Sequence, residues 1–317
     1  MLWKRLMCRT SRPEHFDERI HMEFTEQPMR PPQEARSFLP RATQGCTYND
    51  CHFCYVSRGY PFMAVSAEQL EREALAHKPF FPADTAIYMT GSNPFALPVE
   101  KLKAYIAVLR KHFPLFTRVS MQSRIDDIAG KSPDELRELC GLGLSHLYIG
   151  TENGNDAVLA LMNKGHTSSD TVEQLLRLDE AGITYTTFYI LGMGGKGMGI
   201  ASGEATARMF NQVHPQRITT TGMTVFCHTP LADMQARHEF TEASEREKIE
   251  ELQAFLKTLT VDTFYDGVHY LNPLNYRFSN SDQEEKRRVL EDIDEVLRTC
   301  SDDELEMMVS RQLKQSL

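Results

Sequence analysis

The sequence predicts an α/β fold, a partial (β/α)6 TIM-like barrel with a short α-rich C-terminal extension. Three observations predict it. Strand-like and helix-like segments alternate from residue 37 to about residue 235, which calls for a parallel sheet with right-handed crossovers. The chain has 317 residues, 41% hydrophobic and 25% charged; a large core is affordable and wholesale disorder is not expected. The cysteine-rich and glycine-rich stretches all fall where strands end, the one face of such a sheet where ligands bind.

Residues 1–36 form a lead-in without clear period, punctuated by "QPMRPPQEAR". Residues 37–235 are the barrel core. Its first strand is "SFLPRAT", ending at Gly45 and the cysteine loop, and "SAEQLEREALAHK" follows as a helix capped by Ser66. The second strand, "TAIYMT", closes in "GSNPFALP", and "PVEKLKAYIAVLRKHF" has the three-and-four spacing of a helix. "TRVSMQ" is the third strand, before the Gly-ended helix "SPDELRELCGLG". "SHLYIG" is the fourth, followed by "NDAVLALMNKG" and the helix "SSDTVEQLLRLDEAG". "ITYTTFYIL" is the fifth, followed by "GMGGKGMG" and the helix "SGEATARMFNQV". "RITTTGMTVF" is the sixth, followed by "CHTPLADM". Residues 236–317 change character. They hold the helix "SEREKIEELQAFLKTLT", the aromatic, extended "DTFYDGVHYLNPLNYRFS", and two terminal helices within 281–315. This extension is expected to pack on the barrel, with Tyr265 to Tyr276 near its open side.

Composition narrows the partners. The net charge is −9 and no Lys/Arg block occurs, so tight binding to nucleic acid is not expected. No run reaches the ~18 apolar residues of a membrane helix. The charged start lacks the apolar region of a signal peptide, and the seven cysteines are odd in number; a reducing cytoplasm is the expected compartment. Cys140 and Cys227 lie in apolar surroundings and read as buried structural thiols.

The stretch "TQGCTYNDCHFCYVSR" gathers Cys46, Cys51 and Cys54 within nine residues. Chance is a poor account of three thiols in a polar loop. Structural zinc asks for four protein ligands, and no second pair appears; His52 is too close to its neighbours to serve. An iron–sulfur cluster uses thiolates, and three of them leave one iron of a four-iron cluster open to a small molecule. A rival signal is "GMGGKG", a literal G-x-G-x-x-G between a strand and a helix. It follows the fifth strand and has no acid at the ~20-residue spacing of a dinucleotide fingerprint.

A C-x4-C-x2-C loop after the first of six (β/α) units, with Phe53 before the last cysteine, resembles the radical S-adenosylmethionine (radical SAM) superfamily. The resemblance covers residues 37–234 and is nearest the coproporphyrinogen-oxidase-like and elongator-like branch. It implies a 4Fe-4S cluster on Cys46, Cys51 and Cys54. The open iron would chelate S-adenosylmethionine, and reductive cleavage would yield a 5′-deoxyadenosyl radical for hydrogen abstraction. The family's loop is usually C-x3-C-x2-C; this one is a residue longer. Its Gly-Gly-Glu-like turn, which receives the cofactor's amino group, is here Gly91, Ser92 and Asn93, with an amide in place of the acid. Glu152 would meet the ribose and Lys164 the methionine carboxylate. Ile190 and Gly192 would lie at the adenine, and Cys227 with Phe226 would offer backbone groups. Candidates for the substrate side are Tyr48, Tyr55, Arg124, His269 and Tyr270. The resemblance implies a small-molecule substrate and a reducing donor of the flavodoxin or ferredoxin type. The alternative from another class is a cluster and cofactor carrier or chaperone without turnover.

Overall fold

The computed structural model describes residue 26 and residues 29–309. Most of the lead-in, Cys8 included, and the end of the last expected helix lie outside the described residues. The first strands among the described residues are a short antiparallel pair, β1 (Thr43–Gln44) and β2 (Met63–Ala64), which brackets the cysteine loop. Then come α1 (Ala67–His77), β3 (Ile87–Met89), α2 (Val99–His112), β4 (Val119–Ser123), α3 (Ile125–Ala129) and α4 (Pro133–Gly141). They are followed by β5 (Leu144–Glu152), α5 (Asp156–Leu161), α6 (Ser168–Ala181), β6 (Thr184–Leu191), α7 (Gly199–Phe210) and β7 (Arg217–Gly222). The remainder is α8 (Pro230–Ala236), α9 (Glu245–Thr258), β8 (Phe264–Asp266), β9 (Arg277–Ser279), α10 (Gln283–Thr299) and α11 (Asp302–Met307).

The main sheet has seven strands in the order β3-β4-β5-β6-β7-β8-β9 and is not closed. Pairing is parallel from β3 to β8, and β9 returns antiparallel. The parallel order brings every β-to-α loop to one face. Five helices start where side chains cap them: Ser66, Ser132, Thr167, Ser244 and Ser301 each form a capping box.

Strand faces divide cleanly. On β6, Tyr185 and Tyr189 are fully buried toward the helices, where Tyr189 lies 4.9 Å from the Phe255 ring of α9. The alternate positions Phe188 and Ile190 are only half-buried and face the lumen. The lumen floor is polar. Glu34 is fully buried and accepts hydrogen bonds from Ser120 Oγ at 2.8 Å and Tyr148 Oη at 2.7 Å. Burial would raise this carboxyl, but its hydrogen bonds from Ser37, Tyr148 and Ser120, together with the Arg118 charge, hold it below the usual range.

Two expectations are corrected. The segment 37–43 is no continuous strand: it makes only isolated bridges, Phe38 to Ile87 of β3 and Arg41 to Thr90 just past it, because Pro40 has no N–H to give the ladder. The sixth strand stops at Gly222 and leaves 223–229 as loop. The aromatic C-terminal segment supplies β8 and β9, which extend the sheet past β7.

The α7–α9 contact is close because of Gly203. A Cβ there would sit 2.4 Å from the Glu251 carbonyl oxygen, so any side chain would force the helices apart. One apolar cluster runs from Phe38 to Leu305 and takes in Ile249, Leu252, Phe255 and Leu256 of α9. None of the described helices is long and apolar enough to cross a membrane.

Candidate functional site

The cysteine loop is fastened from three sides. Asn163, just past α5, donates to the Asp50 carbonyl at 3.0 Å and its carboxylate at 2.9 Å, and accepts from Tyr48 Oη at 3.1 Å. The His52 amide donates to the Met162 carbonyl at 2.9 Å, and His52 Nδ1 lies 2.7 Å from the Leu161 carbonyl. That ring nitrogen is committed to the backbone. Asn93 is fully buried; its Oδ1 accepts from the Thr47 amide at 3.2 Å and its Nδ2 donates to Thr47 Oγ1 at 2.7 Å and to Asp127. Both ends of this amide are committed, so Asn93 braces the loop where a cofactor contact was expected. Gly91 alone fits its turn: its φ is +145° and a Cβ would meet Thr43 Oγ1 at 2.1 Å.

Sequence reasoning missed Glu26, for which the lead-in offers no motif. Its buried carboxylate accepts from the Gly45 amide at 2.7 Å, Ser57 Oγ at 2.8 Å and Ser92 Oγ at 2.9 Å. One acid therefore ties together the residue before Cys46, the residue three past Cys54, and the turn after β3.

All three thiols of the loop are unpaired, and burial pushes the Cys54 thiol up. Cations face them. Arg124 is 6% exposed, and its Nη1 lies 3.7 Å from Cys51 Sγ. Its Nη2 donates to the Lys164 carbonyl at 2.8 Å and Asp126 Oδ2 at 2.7 Å, and the guanidinium lies 4.2 Å from the Tyr48 ring centroid. Arg124 and Tyr48, expected on the substrate side, thus both contact the loop's surroundings.

Lys164 Nζ is 3.1 Å from Glu152 Oε1 in a buried ion pair, and 5.9 Å from the centre of the Phe53 ring. Burial pulls the ammonium down, but the Glu152 and Cys51 charges outweigh it and hold the group above the ordinary lysine range. Glu152 is a non-glycine residue at φ +65°, just past a register shift in the β5–β6 pairing. Such a backbone costs roughly 1–3 kcal/mol and persists where the surroundings fix it, often at functional sites. His166, also missed, is pushed down to about 3 by burial and by Lys164 and Arg124; it is neutral.

Around this polar centre runs an apolar wall. Val158, Met162, Met193, Met223, Leu231 and Phe240 form a second cluster, with Phe53 and Ile190 packed on it. The Gly192 amide donates to Glu251 Oε2 at 2.8 Å, so α9 holds the loop after β6. Glu251 is pushed up to about 8 by burial. Tyr55 packs against Phe226, with ring centroids 4.3 Å apart and the planes tilted by 39°. His269 Nδ1 accepts from the Leu271 amide at 3.2 Å and lies 3.0 Å from Thr221 Oγ1; its ring stacks on the half-exposed Tyr270. The accepting Nδ1 leaves the proton of a neutral ring on Nε2. The cysteines expected to be buried are not: Cys227 is exposed, and Cys140 is only partly buried. The loop after β7 turns Cys227 outward, and Cys140 lies at the C-terminal end of α4.

Among the described residues no group of three or more His, Cys, Asp or Glu is placed to hold a single metal ion. A four-iron cluster asks something else, since each thiolate binds its own iron. Three unpaired thiols on one braced loop, with Arg124 and Lys164 facing them, fit that anionic group.

The Radical SAM superfamily matches residues 41–209. A comparison with curated proteins finds no match. Among solved structures, the radical SAM enzyme coproporphyrinogen III oxidase of Escherichia coli superposes with a TM-score of 0.51 at 19% identity, over 70% of this chain and 53% of its own. The archaeal Methanocaldococcus infernus Elp3, lacking its N-terminus, gives 0.50 at 17%, over 81% and 63%. A radical S-adenosylmethionine methyltransferase from Kitasatospora setae, with cobalamin and a 4Fe-4S cluster bound, gives 0.51 at 15%, over 64% and 39%. The chain thus spans less than two thirds of each of these proteins. At such identities the likeness shows a shared fold.

Proposed function

Since the chain belongs to the radical SAM superfamily, we propose that it is an enzyme that holds a 4Fe-4S cluster on Cys46, Cys51 and Cys54 and cleaves S-adenosylmethionine reductively to abstract hydrogen from a small molecule. The observation that carries this is the braced loop of three unpaired thiols with Arg124 and Lys164 turned toward it. When bound, the cluster and cofactor supply the 5′-deoxyadenosyl radical.

The remaining work belongs to the chain's own groups. Lys164 offers its ammonium to the cofactor's carboxylate, and Glu152 offers its carboxylate to the vicinal ribose hydroxyls. Each now neutralises the other at 3.1 Å, so the pair is held ready without an unpaired buried charge. Gly91 and Ser92 offer the turn after β3 to the amino group. Phe53 and Ile190 exclude water, Gly192 borders the adenine, and the backbone at Phe226 and Cys227 lines the far rim. Tyr55, His269 and Tyr270 face the substrate side. The electron comes from a donor of the flavodoxin or ferredoxin type.

Anaerobic protein reduced with dithionite and given S-adenosylmethionine is expected to accumulate 5′-deoxyadenosine and methionine. Cofactor binding with no cleavage, even with cell extract added, would contradict the proposal.

A further inference from the structure

Arg124 is unusual among the charged groups of the site in being both immobilised and aimed at a thiol. Its guanidinium is fixed by the Lys164 carbonyl, by Asp126 and by the Tyr48 ring, and its remaining arm lies 3.7 Å from Cys51 Sγ. A guanidinium does not lose its proton in proteins, so this positive charge is permanent. Of the other nearby cations, Lys164 is compensated by Glu152, whose side chain is only 12% exposed, and Arg58 is held on the Cys51 and Cys54 carbonyls at 2.7 and 3.2 Å, away from the sulfurs. The partner of Arg124 is different: the Asp126 side chain is 42% exposed, so water screens it and leaves more of the arginine's charge acting on the sulfur.

We propose that Arg124 is a positioning residue that donates a hydrogen bond to the Cys51 thiolate and thereby raises the reduction potential of the cluster. This rests on the radical SAM reading above. Three thiolates on a core of charge +2 sum to −1. One electron from a ferredoxin- or flavodoxin-type donor takes the sum to −2, with no bond made or broken and no proton moved. A fixed positive charge stabilises the −2 form more than the −1 form, and hydrogen bonds to the sulfurs together with net charge are what set the potentials of such clusters. Arg124 therefore makes the electron easier to accept.

The test is a potentiometric titration of anaerobically reconstituted protein, followed by the electron paramagnetic resonance signal of the reduced cluster. Wild type is compared with R124M and R124K. R124M is expected to carry wild-type iron and to be harder to reduce by about tenfold or more, about 59 mV for one electron. R124K, which keeps the charge and loses the fork, is expected to fall between. A fully loaded R124M with the wild-type midpoint overturns the inference, as does iron loss with an unchanged midpoint in the fraction that loads. If R124M does not load, R124Q, which retains an N–H for the Lys164 carbonyl, takes its place with the same two outcomes. Absence of any cluster from wild type would instead overturn the radical SAM reading itself.

Discussion

Glu152 illustrates how a site residue is fixed one bond at a time. Its left-handed backbone, the shifted β5–β6 register and the Lys164 ammonium together leave its carboxylate one place to go. If that place is the cofactor's ribose, Glu152→Gln costs a hydrogen bond to a charged group, roughly 1.5–3 kcal/mol, or about tenfold to a hundredfold in affinity for S-adenosylmethionine. Equilibrium binding should show this loss with iron content unchanged; unaltered affinity would return Glu152 to a purely structural pairing. Glu26 gives a different expectation. Glu26→Ala leaves the Gly45 amide and two serine hydroxyls without their acceptor, so stability in urea should fall by about 1–3 kcal/mol. An unchanged midpoint would mean that the brace carries no load. The two residues also mark what a sequence displays. The thiols could be read because their spacing is local. The work of Glu26, Asn93 and Arg124 could not, because each acts across a separation of tens of residues that only the fold closes.

At the scale of elements, helices were the more legible. Their starts are written in single residues, such as Ser66 and Thr167, which satisfy the first amides whatever lies elsewhere. Strand limits depend on partners. Phe38 bridges to β3 and Arg41 to Thr90 just past it, yet Pro40 between them denies a continuous ladder, and the pairing of β8 with β7 has no local signal at all. The glycines of "GMGGKG" resemble a nucleotide loop until α9 is seen behind them, with Glu251 receiving both the Gly192 amide and, at 2.6 Å, the Tyr189 hydroxyl. Burial raises the Glu251 carboxyl from 4.5 to about 8. Its protonated form therefore stabilises the fold, fully below about 4.5 and progressively less as pH rises to about 8. Glu251→Gln removes this ionisation. Wild type should lose stability relative to the variant across that window, by at most ~1.4 kcal/mol per pH unit. Denaturation curves in parallel over pH 4.5–8 would reveal the slope, and parallel stabilities would show that Glu251 stays ionised.

Among the described residues, the last third of the chain contributes to the larger of two apolar clusters. Ile249, Leu252, Phe255 and Leu256 are all buried in the cluster that also holds Phe38 and Leu147. Four such side chains stabilise by about 1.5–3 kcal/mol each, so about 6–12 kcal/mol together, as much as the net stability of a typical domain. Truncation after Ala236 should therefore give insoluble or unfolded protein; a soluble, iron-loaded fragment would show that the barrel stands without α9. The (β/α) order was readable because alternation runs through a long stretch, from residue 37 to about residue 235. The contribution of β8 and β9 to the sheet was not, because no residue count says where an aromatic segment returns. All of this architecture is proposed to serve one group, and its ligands can be counted. Iron and acid-labile sulfide in anaerobically reconstituted wild type should come to about four of each per chain. Replacing Cys46, Cys51 or Cys54 by Ala should abolish both, while Cys8, Cys140, Cys227 and Cys300 should each be dispensable. Full iron content in any one of the first three variants would contradict the assignment of these thiols as the cluster's ligands.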